Sequence, residues 1–393
     1  MTGARPAAPL STPVLLLMAM ACGLCAGGNY FNQPLLHSIA RDLGIAESRA
    51  ALTVTIAQVA YACGLLLLVP LADMLERRAL AVSLMLLAAA GQFVSGFACG
   101  FGMLAIGTAM AGLFSVASQV LVPMAAALAA PGRSGRATGL VMSGLLTGIL
   151  AARSVAGLLS GWGGWSMVYR ISGAVMLLVA ALLWWALPSS RNAESARYGQ
   201  ILRSMGTLLR RHPRLRSRAW LGALSFASVS CLFSTMALLL SGPAFRMGDT
   251  AIGLVGLVGV AGALVANLAG RWADQGRQQA TTGASALLLI LGWAALYLGG
   301  THLGWFLAGM LIVDMALQGI HISNQSVVYR LQPSARGRIN AVYMTAYFIG
   351  AAAGSAAGSI AWQQAGWPAT CALGATLALA TAAARTADLR TQQ

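Results

Sequence analysis

Eight stretches of this chain run for 20 residues or more without one Asp, Glu, Lys or Arg: 6–40, 50–72, 79–132, 171–190, 219–245, 250–270, 278–313 and 339–384. A helix crosses the hydrocarbon layer of a bilayer with about 20 apolar residues. Two of the runs, 79–132 and 339–384, are long enough for two crossings each. The stretches 137–152 and 154–169 flank a lone charge, Arg153, and supply another crossing and the start of the next. This spacing predicts twelve transmembrane helices, beginning near residues 13, 50, 80, 102, 139, 166, 219, 252, 280, 303, 340 and 367, in an all-α membrane protein. Hydrophobic residues make up 58% of the chain and charged residues 9%, against about a quarter charged in soluble chains. That deficit excludes a soluble enzyme, a nucleic-acid binder and a disordered scaffold. Residues 1–28 have the outline of a secretory signal, but functional-looking polar residues follow at once, which favours a first span that is retained. The six cysteines lie in or beside spans and read as small packing residues.

The net charge is +16, and all 25 basic residues are arginine. With both termini placed in the cytoplasm, twenty arginines fall in inner loops and tails and four, Arg41, Arg49, Arg170 and Arg246, on the outer side. This is the positive-inside bias; it sets both termini inside and points to an anionic inner leaflet as the partner, with no nucleic acid. The longest hydrophilic stretch, 188–218, separates six spans (1–187) from six (219–393). Within it Ile201, Leu202, Met205, Leu208 and Leu209 recur at helical spacing. That is the pattern of an amphipathic helix on the leaflet surface, and equally of a solvated linker.

Three landmarks repeat across the divide: Asp73 with Asp274, Gly135-Arg136 with Gly337-Arg338, and Gly164-Trp165 with Gly366-Trp367, at offsets of 201, 202 and 202. Duplicated membrane halves mark secondary transporters, with the substrate site between the halves near the midplane. The chain resembles the major facilitator superfamily over nearly its whole length. The loop between spans 2 and 3 resembles that superfamily's acidic-basic motif: Asp73, Arg77 and Arg78 match, while Val69 and Glu76 stand where glycines are usual. In the second half Gly270, Asp274, Gly276 and Arg277 match with one residue fewer. Such a carboxylate bonds a neighbouring helix end and an arginine in one conformation and releases them in another, so Asp73, Arg77, Arg78, Gly270, Asp274 and Arg277 are expected gate residues. The segments NYFNQPLL (29–36), SQVLVP (118–123), SGLLTGILAARSVAG (143–157) and ISNQSVVYRLQPSARGRINAVYM (322–344) resemble a bacterial subgroup near the drug:proton antiporter branch. Two departures stand out: span 4 lacks the usual arginine, and Ala152-Arg153 replace the Gly-Pro of the antiporter motif. The resemblance implies two pseudo-symmetric six-helix bundles, alternating access, a bacterial inner membrane and a cavity lined by spans 1, 4, 7 and 10.

Ionisable groups within a membrane are costly and functional by default. Asp314, in span 10, and Arg153, in span 5, are the two that the sequence places well inside. Gln318, His321 and Gln325 follow Asp314 at +4, +7 and +11 on one helix face, with Asn324 beside it. We expect Asp314 to carry the proton or to contact a cationic solute, with His321 as relay and Arg153 as counter-charge; a structural ion pair between the halves explains the same charges. Span 1 offers Asn29, Tyr30, Asn32 and Gln33 just before Pro34, a break of the kind that lines substrate sites. Gln119 and Ser115 on span 4, and Ser225, Ser228 and Thr235 on span 7, complete the candidate lining. Tyr61, Tyr343 and Tyr347 are candidates to close the ends of the cavity.

Met18, Cys22 and Cys25 share a helix face and suit copper(I), a rival cargo; a membrane receptor without flux is a rival of another class. No HExxH, GxSxG or phosphate-binding loop occurs, so an enzyme is not expected. The sequence therefore leads to a secondary transporter, acting as a monomer without cofactor, that exports a small organic solute against protons. Uptake is the main alternative. Few fixed charges in the lining favour a neutral or monocationic solute over a polyanion.

Overall fold

The computed structural model describes residues 11–130, 133–190, 197–259, 275, 277–332 and 335–390. The described residues are almost wholly helical and contain no strand, and a helix satisfies every backbone polar group within the segment where no water is available. Among them, nine helical stretches are long and apolar enough to cross a membrane. Two of these, starting at Ser134 and Arg336, are double length, and each is broken once. The breaks fall at Gly163-Gly164 and Ala365-Gly366, with matching φ values of −147° and −149° at the first residue and 75° and 62° at the second. Only glycine takes positive φ at no cost, so the repeated Gly-Trp landmark is the hairpin between spans 5 and 6 and between spans 11 and 12. Asp249–Val255 begins a span that is described as far as residue 259; Gly270 and Asp274 lie outside the described residues.

Span 1 is not continuous. Its helix Thr12–Gly28 ends at Asn29, a 3₁₀ turn covers Gln33–Leu35, and Leu36–Asp42 resumes. Pro34 lacks the N–H that would continue the ladder, so the expected break occurs beside the polar residues. The interruption turns Asn29, Tyr30, Asn32 and Gln33 into a short buried bend.

In both bundles spans approach closely through small residues, and one such pair recurs at equivalent places. Gly23 and Gly27 of span 1 lie against Gly144 and Gly148 of span 5, and Gly350 and Gly354 of span 11 lie against Ala223 and Ala227 of span 7. These are equivalent pairs in the repeat. Without a hydrophobic driving force in lipid, close backbone approach supplies the association energy.

Between the bundles the hydrogen bonds run from span 5 to span 8 and, on the other side, from span 2 to spans 11 and 7. Ser160 Oγ donates to Asp249 Oδ2 (2.7 Å), Thr250 Oγ1 to Gly157 O (2.9 Å) and Ser154 Oγ to Gly253 O (2.9 Å). On the other side, Thr55 and Ser355 share a hydrogen bond of 2.9 Å and Gln58 Nε2 donates to Ser230 Oγ (3.1 Å). All five bonds lie in the half of the molecule opposite the chain termini. The bundles are sealed at that end.

The linker forms the helix Tyr198–Arg211. On its apolar face Ile201, Met205 and Leu208 are buried against the protein, Leu202 is half-buried and Leu209 is exposed. Tyr198 Oη donates to Leu67 O of span 2 (2.8 Å), and Ser204 Oγ accepts from Arg338 Nη1 of span 11 (3.1 Å). The helix thus touches both bundles at the terminal end, where an apolar face finds better cover than in the interface.

Candidate functional site

Arg153 is only 4% exposed and lies where span 1 breaks. Its Nε donates to Gln33 Oε1 at 2.6 Å, and its guanidinium carbon lies 3.8 Å from the centre of the Phe233 ring and 5.2 Å from that of Tyr30. Aromatic faces stabilise a desolvated cation. Span 8 forms the floor: Gly256 lies against Arg153 Cβ, and Gly259, nearly one turn on, against the Asp314 carboxylate. Asp314, 9% exposed, is therefore brought beside Arg153 from the other bundle. The two charges are within each other's electrostatic reach, yet no salt bridge of 4.0 Å or less links them. Neither carboxylate oxygen of Asp314 nor either terminal nitrogen of Arg153 has a hydrogen bond among the described residues.

The rest of the span 10 stripe belongs to a second cluster. His321 lies two turns from Asp314, about 10 Å along the axis, too far for direct proton exchange. Its Nδ1 bonds Tyr343 Oη (3.1 Å), and its ring packs 4.6 Å from that of Tyr347. Asn324 Oδ1 accepts from Arg218 Nη1 (3.1 Å), and its Nδ2 donates to Arg218 O (3.4 Å) and Tyr343 Oη (3.5 Å). Arg218 pairs with Asp388 at 2.6 Å, and both side chains are wholly buried. Ser217 and Gln279 also donate to the Asp388 carboxylate, the latter at 2.8 Å.

Other candidates are distributed. Asn29 Nδ2 bonds its own helix at Cys25 O (3.4 Å), and Asn32 Nδ2 donates to Thr53 Oγ1 (3.2 Å). Gln119 Nε2 reaches Tyr61 Oη (3.4 Å), and Tyr61 joins Phe348, Phe226 and Tyr347 in an aromatic belt between spans 2, 7 and 11. Gln318 is half-buried on the Asp314 helix, and Gln325 reaches the Met344 sulfur at 4.0 Å. Ser228 stands apart. Fully buried, it donates to Gly374 O (2.9 Å) and accepts from Trp293 Nε1 (2.7 Å), which links span 7 to spans 9 and 12. Cys22 Sγ contacts Ser118 O at 3.9 Å, a packing contact between spans 1 and 4.

At the expected gate, Asp73 ends a 3₁₀ turn, Val69–Asp73. Arg77 N donates to Ser190 O (2.8 Å), and Arg78 Nη1 donates to Leu187 O (3.1 Å) while its guanidinium lies 4.6 Å from the Trp184 ring. Arg277 stands at the start of Gln278–Leu298 without a side-chain bond to the helix end. Glu76, where the motif has glycine, caps Arg77–Gly96 by accepting from Arg78 N (3.0 Å) and Ala79 N (2.7 Å), and also accepts from Ser190 N (2.9 Å). It thereby ties the start of span 3 to the end of span 6. Burial pushes its carboxyl up, but the three N–H donors and Arg78 outweigh this and hold it below its ordinary value. Glu76→Ala is expected to cost about 1 kcal/mol at neutral pH, as for a lost cap. Because the folded pKa is depressed, that stability is present above the unfolded value of about 4.3 and is lost as pH falls through the lower folded value. Thermal unfolding of both proteins from about pH 7 to about pH 3 checks it: the gap closes only at the acid end, and a pH-independent gap contradicts the assignment.

The family model for the Major Facilitator Superfamily matches residues 18–355. The chain belongs to the major facilitator superfamily. It is 48% identical over 375 residues to an uncharacterized transporter, YgaY, of Escherichia coli O157:H7, covering 95% of each chain. It is 26% identical to a probable sugar efflux transporter of Helicobacter acinonychis, covering 84% of each. Its fold matches the crystal structure of a bacterial homologue of the lysosomal transporter Spinster in an inward-facing, occupied conformation, with a TM-score of 0.76, 15% identity and coverage of 99% and 98%. A multi-pass membrane transporter of this superfamily, not an enzyme, is the identity these matches establish.

Sequence reasoning passed over four residues. Arg218 was counted in the linker, although Pro213 after His212 starts the helix five residues earlier. Asp388 stands between Arg385 and Arg390 past the last charge-free run, where no local signal marks its burial. Phe233 was one more apolar residue in a span, and Glu76 was read as a defect of the motif.

Proposed function

We propose that this transporter exports a small organic solute across the bacterial inner membrane in exchange for protons, by rocking the bundles 1–187 and 219–393 about the site that holds Arg153 and Asp314. The observation that carries this is Asp314: a buried carboxylate at the seam between bundles, beside an arginine but not bonded to it. A carboxylate in that position takes or releases a proton according to what stands next to Arg153. Asn29, Tyr30, Asn32, Gln33, Gln119, Gln318 and Gln325 contribute the polar lining, His321 with Tyr343 extends it toward the terminal end, and Asn324 braces Tyr343 from behind. Alternating access requires the seal between spans 5 and 8 and between spans 2 and 11 to open, while Asp73, Arg77, Arg78, Gly270, Asp274 and Arg277 act on the other side. Both termini are cytoplasmic in this reading, from the arginine bias, and the unit is a monomer. The efflux named for the Helicobacter relative supports the outward direction.

The test is proton movement. Purified protein in vesicles holding a trapped pH-sensitive dye is challenged with a panel of drugs, sugars and amino acids. A solute-dependent pH change, opposite in direction to the solute flux, supports the exchange. Solute flux without any proton movement removes the coupling.

A further inference from the structure

We infer that the site takes a zwitterion, with the solute's ammonium group on Asp314 and its acidic group on Arg153. This deepens the proposed function and rests on its placing the transport site at these two residues. Asp314 is 9% and Arg153 4% exposed, and a charged group so buried is ordinarily paired or bonded. Here both Asp314 oxygens and both Arg153 terminal nitrogens lack hydrogen bonds among the described residues, while the Arg153 Nε is fixed at 2.6 Å by Gln33. The guanidinium is held in place through Nε, with both terminal nitrogens left without a hydrogen bond among those residues. Gly256 and Gly259 keep the wall beside both charges free of side chains.

Two opposite charges that are neighbours without touching accept a complementary pair of charges. A lone cation on Asp314 stands beside Arg153 and is repelled by it; a lone anion on Arg153 meets the same penalty from Asp314. A zwitterion satisfies both, and its carboxylate matches the planar fork of arginine. The rings of Phe233 and Tyr30 over Arg153, with the Phe226–Tyr347 stack at 4.1 Å, offer apolar surface to the solute body.

Binding to the purified wild-type protein decides this with two scaffolds. L-Phenylalanine is compared with 2-phenylethylamine and 3-phenylpropanoate, and L-leucine with isoamylamine and 4-methylpentanoate, by calorimetry or thermal shift. On at least one scaffold the zwitterion is expected to bind more than about tenfold tighter than both of its singly charged analogues, because each analogue leaves one buried charge unmatched. Arg153→Gln then shifts the preference toward the amine and Asp314→Asn toward the acid. Any other wild-type ranking, including no binding or equal binding, overturns the inference, and this holds even if the variants do not fold. The vesicle assay separates the two readings. Solute-driven proton movement without zwitterion preference leaves coupled export standing and removes the substrate class; zwitterion preference without proton movement does the reverse.

Discussion

Asp388→Ala is expected to destabilise this transporter by about 3–5 kcal/mol, the usual loss when one partner of a buried ion pair is removed. Arg218 and Asp388 have no exposed side-chain surface and meet at 2.6 Å. Without the carboxylate, a guanidinium remains buried with Thr282 Oγ1 at 3.2 Å and Asn324 Oδ1 at 3.1 Å as its neutral partners. Ser217 and Gln279 lose their acceptor as well. The size of the effect comes from the stranded charge rather than from the worth of the pair. Replacing both partners by apolar residues of similar length, Arg218→Met with Asp388→Leu, should therefore cost less than Asp388→Ala alone, a departure from additivity expected of residues in direct contact. Thermal unfolding of the three variants in detergent measures this. An Asp388→Ala protein within about 0.5 kcal/mol of the wild type, the range of an ordinary surface change, sinks the claim. The pair also fixes Asn324 and, through Tyr343, His321, so its loss should be felt in the lining of span 10.

What the sequence made legible follows from which signals are local. Charge-free runs, the Gly-Trp hairpins and the break before Pro34 depend on a few adjacent residues, and all three are present in the structure. The repeat offset of 202 reappears as nearly equal backbone angles at Gly163-Gly164 and Ala365-Gly366. Arg153 and Asp314 were legible as candidates because a charge inside an apolar run stands out on its own. Arg218 and Asp388 were not, since each sits among other charges near the end of a span, and only the packing of spans 7 and 12 shows that they are sealed. The stripe from Asp314 to Gln325 read as one functional face. Its members in fact serve different neighbours: Asp314 stands beside Arg153 across the seam, while His321 bonds Tyr343 and Gln325 reaches Met344 within the second bundle. The apolar face of Tyr198–Arg211 was visible as a face, but periodicity carries no information about whether lipid or protein covers it.

Asp314→Asn is the variant with the largest expected effect on function. The amide keeps the shape of the side chain and removes its proton site. If one proton crosses per solute, a pH difference of one unit is worth about 1.4 kcal/mol, or about a tenfold solute gradient. The most direct measurement compares wild type, Asp314→Asn and Asp314→Glu in vesicles, using a solute that the proton-movement screen identifies. Gradient-driven accumulation and counterflow at saturating solute, which needs no net proton transfer, are recorded together. The account predicts about tenfold accumulation per pH unit in the wild type, retention of part of it in Asp314→Glu, and none in Asp314→Asn while counterflow persists. Full pH-driven accumulation by Asp314→Asn would contradict it, and would return the carboxylate at the seam to a structural role.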